Sequence, residues 1–253
     1  MTDRQKSLLG RWAVYIFIYA LTLLWLVPVL TALITSLRTN NDILTRGFWS
    51  LPNVLTLKNF GEAWTRGGLT HYLPNSFIIT LPSLVLTLLF SSLAGYALSR
   101  FRFRGDRLIL FIFVAGMMLP FQILLLPVFR LVNALGLYNT YWALILPYLT
   151  FSLPMTIWIL QSFFKQIPDA LTEAAVIDGA GPMRALFQII FPLAAPGIFT
   201  AFILTFIGAW NELLFASIFI TDYRKFTVPR ALTLFSGQYT SSWQLIAAAS
   251  VVI

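Results

Sequence analysis

Long stretches without a charged residue limit what this chain can fold into. The first of them, from Trp12 to Leu37, runs for 26 residues without a charge, and a helix of about 20 apolar residues crosses the hydrocarbon core of a bilayer. Charged residues make up only 10% of the chain and hydrophobic residues 58%, whereas a soluble domain carries about a quarter charged residues. The sequence therefore predicts an integral membrane protein built from helices.

Further apolar stretches bring the number of predicted membrane spans to six. The predicted spans cover residues 12–37, 75–98, 108–132, 142–164, 198–220 and 245–253. The third contains Pro120 and Pro127, and proline breaks or kinks a helix. The last is too short to cross a bilayer, so we expect it to be truncated. In the loop of residues 38–73, a short amphipathic helix is expected at Leu57–Trp64.

Basic residues are concentrated at one end of the predicted spans. The connector of residues 99–107 carries four arginines, and basic residues also precede the first span. Because Lys and Arg in short loops favour the cytoplasmic side, we expect the amino terminus, this connector and residues 165–197 to lie in the cytoplasm. Residues 38–73 and 221–244 are then expected outside.

The segment between the fourth and fifth spans carries the most informative pattern. Asp169 follows a proline and is a suitable N-cap, and Gly179 suits the position just past a helix C-terminus, which predicts a helix of about nine residues. So short a helix needs a docking partner. Its alanines allow close approach of another backbone, and Glu173 offers one directional charge. A second helix is predicted from Pro182 to Pro192. An interfacial helix on lipid headgroups is the alternative interpretation.

Glu212 is the only acidic residue within a predicted span, and Asn211 precedes it. A charge near the bilayer centre costs about 2.5–3.5 kcal/mol, so Glu212 is expected to face a partner or a water-filled path. Arg130, near the outer end of the third span, lies at a comparable depth. The sequence therefore leaves two hypotheses open for these three residues: a buried Arg130–Glu212 ion pair, or the lining of a path across the membrane.

Several classes of function lack the residues they need. The chain has no cysteine and a single histidine, which excludes thiolate chemistry and a histidine-cluster metal centre. No glycine is followed by lysine, so a P-loop is missing and the chain cannot bind ATP in that way. His71 has no plausible nucleophilic partner in the sequence. We predict no catalytic site, no cofactor, no metal and no nucleic-acid partner.

The segment between the fourth and fifth spans also resembles a known family motif. Glu173-Ala174-Ala175, Gly179 and Ile189-Ile190-Phe191-Pro192 have the spacing of the EAA motif in permeases of ATP-binding-cassette importers, with Phe191 as the one departure. Tyr96-Ala97-Leu98 and Trp210-Asn211-Glu212 are similar to the carbohydrate subfamily, in particular to the shorter, maltose-permease-like subunit. The resemblance covers nearly the whole chain, but the family normally completes a sixth span and a short tail.

The resemblance implies a fold, a coupling site and a set of partners. The fold would be an all-α, six-span type I importer permease with a cytoplasmic coupling helix, seated in a groove of a separate ATPase. The residues that would couple the chain to that ATPase are Glu173, Ala174, Ala175, Asp178 and Gly179. The implied partners are a second permease subunit, an ATPase dimer, an extracytoplasmic solute-binding protein, membrane lipid and a small-molecule substrate.

The implied function is the ATP-driven import of a sugar across a bacterial inner membrane by alternating access. Glycerol phosphate or another polyol derivative is the alternative substrate. An ion-coupled secondary transporter is the rival function, and it would favour several intramembrane acids and internal repeats. The chain has one such acid and no convincing repeat.

Overall fold

The computed structural model describes residues 3–65, 67–235 and 242–253, and within these ranges it contains helices and turns but no strand. The helices in chain order are α1 Asp3–Ser36, α2 Asn40–Arg46, α3 Lys58–Thr65, α4 Leu69–Arg100, α5 Asp106–Met117, α6 Leu125–Ala134, α7 Trp142–Gln166, α8 Asp169–Ile177, α9 Pro182–Leu193, α10 Ala195–Trp210, α11 Leu214–Phe219, α12 Val228–Leu232 and α13 Trp243–Val252. The all-α prediction is therefore confirmed for the described residues. Part of the predicted outer segment 221–244, residues 236–241, lies outside them, as does Arg66.

Four stretches of the described chain are long and apolar enough to cross a membrane: Val14–Ser36, Leu69–Arg100, Trp142–Gln166 and Ala195–Phe219. Each coincides with a span predicted from the sequence, although α4 extends further at both ends. The sixth predicted span corresponds to α13, which is 10 residues long. The short helix expected in the outer loop is present as α3.

The third predicted span is not one straight helix. α5 ends at Met117, and the helical stretch Phe121–Ala134 continues at an angle of 89° to it. The break coincides with Pro120, which has an extended backbone, has no backbone N–H to donate and disfavours helix in the residue before it. Pro127 lies within α6 and does not end it. Absence of charge predicts burial in lipid but carries no information on the direction of the helix.

The chain divides into two compact units, one of residues 1–70 with 231–253 and one of residues 71–230. In the first unit, α13 packs along α1 and α3. Arg38 follows α1 and is 0% exposed; its guanidinium donates to Asp42 Oδ2 at 2.7 Å and to the Gly47 and Phe48 carbonyls. Hydrogen bonding to Arg38 lowers the pKa of the Asp42 carboxyl. One buried arginine therefore organises the loop after α1.

The second unit has an apolar core where α4, α7, α9 and α10 meet. Tyr96, Leu160, Phe164, Leu186 and Ile190 are buried together in this core. The helices approach closely at one glycine on α10, since a Cβ on Gly197 would lie 2.3 Å from Phe163 Cγ. α9 is thus fixed to two membrane-spanning helices rather than lying free on a surface.

Within the described residues, α4 forms hydrogen bonds with other elements near both of its ends, whereas the hydroxyls along its middle bond within the helix. Near its first end, Asn75 Nδ2 donates to the Arg224 and Phe226 carbonyls, and Ser76 Oγ accepts from the Val228 N–H. Along the middle, the hydroxyls of Ser83, Thr87 and Ser92 donate to carbonyls of α4 itself, one turn earlier.

Candidate functional site

The two ends of α8 are capped in different ways. Gly179 has φ +79°, in the left-handed region, and the N–H groups of Ala180 and Gly179 donate to the Ala175 and Val176 carbonyls at 2.8 and 3.0 Å. These two bonds form a Schellman motif, in which glycine is favoured because it has no Cβ. At the start, Pro168 occupies the N-cap position and Asp169 is the first helical residue. The prediction of Asp169 as N-cap is therefore wrong by one position.

The residues of the predicted coupling motif lie mostly on the exposed surface of α8. Glu173, Ala174, Asp178 and Gly179 are exposed, whereas Ala175 is buried. The exposed surface also includes Val176 and Ile177, the latter 86% exposed, as well as Ala170 and Leu171. A short helix that presents large apolar side chains to solvent has a surface typical of contact with a protein or with a membrane.

Arg100 fixes the position of α8 relative to the helices behind it. Its side chain is 6% exposed and pairs with the Asp169 carboxylate. The same guanidinium donates to the Phe164 and Ile167 carbonyls, at 3.0 and 2.8 Å. The last residue of α4 thus joins the end of α7 to the start of α8. The sequence singled out the arginine-rich connector but not this role, because the partners lie 64 to 69 positions away.

α9 follows α8 in the chain and packs against it. Pro182 occupies its first turn, as predicted, and the helix continues to Leu193 with a π-helical segment at Leu186–Ile190. Leu186 and Ile190 are fully buried against α4 and α7. Since π-helical turns are rare and concentrate at functional sites, this irregular turn is consistent with a specialised role for the segment.

The second candidate site is a break in the last long span of the second unit. α10 ends at Trp210 and α11 begins at Leu214, and Glu212 lies between them. Its carboxylate accepts hydrogen bonds from the backbone N–H groups of Phe215 and Ala216, at 2.8 and 3.2 Å. It also accepts one from the Tyr148 hydroxyl of α7, at 2.7 Å. Glu212 therefore caps α11, where a negative charge is stabilised by the free N–H groups and the helix dipole.

The predicted Arg130–Glu212 ion pair is not formed between these two described residues. Arg130 is exposed, and the Glu212 carboxylate is occupied by Tyr148 and the α11 backbone. Asn211 is exposed, and its Nδ2 donates to the Ile207 carbonyl. Sequence reasoning missed Tyr148, since a tyrosine in an apolar span gives no sign of which side chain it meets.

Glu212 and Asn211 line a cavity of about 530 Å³. Aromatic rings form much of its wall: Phe151 and Phe215 stack with centroids 5.5 Å apart, and Phe121 packs against both. The cavity thus combines an apolar, aromatic lining with a few polar groups, which is typical of sites that bind small molecules.

Removing the Glu212 carboxylate should destabilise this break. Glu212→Ala leaves two buried N–H groups and the Tyr148 hydroxyl without an acceptor, and we expect it to cost about 2–4 kcal/mol of unfolding free energy. Glu212→Gln retains an acceptor oxygen and should cost less. Thermal unfolding of the purified variants in detergent measures both. Equal stability of the alanine variant and the wild type would contradict the capping role.

Comparisons with known proteins agree on one family. Residues 88–253 match the family described as "Binding-protein-dependent transport system inner membrane component". The chain is 41% identical to the sulfoquinovosyl glycerol transport system permease protein SmoH of Agrobacterium fabrum, over 90% of this chain and 80% of that protein. It is 37% identical to the trehalose transport system permease protein SugB of Mycobacterium tuberculosis, over 90% of this chain and 83% of that protein.

One solved structure has the same fold. It is that of a bacterial ABC transporter involved in the import of the acidic polysaccharide alginate. The TM-score is 0.82 over 100% of this chain and 93% of the other, at 23% sequence identity.

Proposed function

The chain belongs to the family of binding-protein-dependent transport system inner membrane components, and from this premise we propose that it is the permease subunit of an ATP-driven sugar importer. Its α8 would be the coupling helix that docks on a separate ATPase. The observation that carries the proposal is the exposed, partly apolar surface of α8, held in place by Arg100 and by the buried α9.

Transmission of work requires an element that is exposed to the partner and rigidly joined to the moving bundle. An ATPase can shift the permease between two states only through contacts that differ between those states. α8 offers such contacts, with Glu173 as the directional charge and Ile177 as the most exposed apolar group. We place α8, the arginine-rich connector and the amino terminus on the cytoplasmic side, in agreement with the basic residues near these span ends.

We propose that the 530 Å³ cavity beside Glu212 borders the translocation path. A break in a spanning helix leaves backbone N–H and C=O groups to which lipid offers no hydrogen-bond partner. Such breaks are therefore tolerated where they are buried in protein or line a water-filled cavity. Stacked aromatic rings beside amide and carboxylate groups suit a molecule with both apolar and hydroxylated faces. A sugar has both. The names of the two relatives above support a carbohydrate or glycosylated substrate.

The remaining partners in this proposal are a second permease subunit and an extracytoplasmic solute-binding protein. The family description names binding-protein dependence, and an ATPase dimer with two coupling sites requires two permeases. An ion-coupled secondary transporter would work alone. The single acid of the described spans, Glu212, is already engaged by three donors, which leaves no obvious carrier of an ion.

Uptake into proteoliposomes tests the proposal. Vesicles that contain the chain, a second permease and the ATPase are supplied with binding protein outside and ATP inside, and radiolabelled trehalose, maltose, sulfoquinovosyl glycerol and glycerol 3-phosphate are compared. We expect uptake of a sugar that requires both ATP and binding protein. Vesicles with the chain alone should take up none, with or without an ion gradient. Ion-driven uptake by the chain alone would refute the importer function.

A further inference from the structure

A polar cavity of about 180 Å³ lies beside the arginine-rich connector, where α4 and α7 end and α5 begins. Arg102, Arg107 and Lys165 line it, and all three are exposed. None of them pairs with a carboxylate in the described part of the chain. Asp106 also lines the cavity, where its carboxylate accepts from the backbone N–H of Arg107. The lining therefore carries an excess of positive charge.

A buried donor without a partner lines the same cavity. Gln161 of α7 is 4% exposed, and its Nε2 has no hydrogen-bond acceptor among the described residues. The backbone at this point is held by close packing, because a Cβ on Gly95 of α4 would lie 3.1 Å from the Gln161 N atom. An unsatisfied buried donor costs about 1–3 kcal/mol, and a bound acceptor would remove that cost.

The lining of the cavity also includes three apolar side chains. These are Leu98, Phe101 and Leu110. Because the cavity lies at the ends of membrane-spanning helices, it borders the zone where lipid headgroups meet the acyl chains. Basic pockets between spanning helices at this level suit anionic lipid headgroups, and a volume of this size accommodates several waters or one phosphoryl group.

We propose that this cavity is a binding site for a phosphoryl group, carried by an anionic phospholipid or by free phosphate. Arg102 and Arg107 supply charged donors, which bind phosphate oxygens with both charge and directed hydrogen bonds. Gln161 Nε2 supplies a third, neutral donor from the interior. The site is separate from the Glu212 cavity and does not depend on the transported substrate.

The test compares two double variants that remove the same charge. Arg102→Gln with Arg107→Gln removes two basic groups of the cavity, and Arg104→Gln with Arg184→Gln removes two exposed arginines that do not line it. Thermal unfolding of the full chain in detergent is titrated with dioleoyl phosphatidylglycerol, dioleoyl phosphatidylcholine and sodium phosphate. We expect phosphatidylglycerol to stabilise the wild type and the control variant more than phosphatidylcholine does.

The cavity variant should bind phosphatidylglycerol about 30-fold more weakly than the wild type, because it loses two charge-assisted hydrogen bonds to the phosphoryl group that the control variant keeps. Gln161→Leu should also weaken binding while leaving the charge unchanged. Competition by sodium phosphate indicates that the phosphoryl group alone is recognised; stabilisation by the lipid without such competition identifies the phospholipid as the ligand.

If phosphatidylglycerol binding is weakened equally in both double variants, the proposal is overturned, because the binding then reflects only general attraction between positive charge and an anionic surface. An unchanged lipid response together with loss of ATPase binding in the cavity variant would also overturn it and would assign the arginines to the protein partner. Nuclear magnetic resonance or circular dichroism of each variant checks that the helical fold is retained.

Discussion

The Glu173→Lys variant is expected to fold and insert like the wild type, but to lose substrate-stimulated ATP hydrolysis by about tenfold or more in the assembled transporter. Glu173 is exposed on α8 and forms no salt bridge with another described residue. Its replacement therefore breaks no ion pair of the chain itself. We expect the effect to arise at the proposed ATPase contact, where reversing one charge would remove free energy of the size typical of allosteric coupling.

A matched substitution separates coupling from folding. Glu62→Lys makes the same change of charge on α3, an element of the first unit, and should leave stimulated hydrolysis and uptake unchanged. Both variants should elute from a sizing column as the wild type does. If the Glu173→Lys complex hydrolyses ATP at the wild-type rate when substrate-loaded binding protein is present, α8 is not the coupling element.

Arg100→Met is expected to lower both the stability of the chain and the stimulated ATP hydrolysis of the complex. The buried guanidinium bonds two carbonyls at the end of α7 and the carboxylate at the start of α8, and each charge-assisted bond contributes about 1.5–3 kcal/mol. Because the freed groups lie near the membrane surface and water can reach some of them, we expect a net loss of about 2–4 kcal/mol. α8 should also lose its fixed position, so that stimulated ATP hydrolysis falls further than binding of the ATPase. Chemical unfolding in mixed micelles and hydrolysis by the complex provide the two measurements.

The geometry of the guanidinium can be tested with two further substitutions. Arg100→Lys keeps the charge, but a lysine ammonium lacks the planar guanidinium that reaches three acceptors at once. Its stability should therefore lie between those of the wild type and Arg100→Met. Arg104→Met removes an exposed arginine from the same connector and should cost less than about 0.5 kcal/mol. If Arg104→Met proves as damaging as Arg100→Met, the positive charge of the connector matters rather than the specific bonds of Arg100.

Local signals in the sequence were sufficient to predict the two short helices α8 and α9. Gly179 follows the last residues of a short helix, and its positive φ is the reason that a glycine is needed there. Pro182 begins the next helix for an equally local reason. The spacing of Glu173, Gly179 and Pro192 carried the family prediction, which the match over residues 88–253 confirms.

The direction of a helix, and the face that it turns toward its neighbours, could not be predicted from local signals. Apolar composition indicated a third span but not the turn of 89° at Pro120. Depth alone made Arg130 a candidate partner for Glu212, whereas the actual donor is Tyr148, on a helix whose facing side depends on packing. Arg100 is a similar case, since its acceptors come together only after α4 and α7 have packed.

The polar contacts of α4 have a mechanical consequence. The helix is fastened at Asn75 and Ser76 at one end and at Arg100 at the other, while its central hydroxyls bond only to their own backbone. Bending of the middle therefore breaks no hydrogen bond to another described element, and Pro82 already removes one internal bond there. α4 can therefore bend at its middle while the hydrogen bonds at both ends are kept.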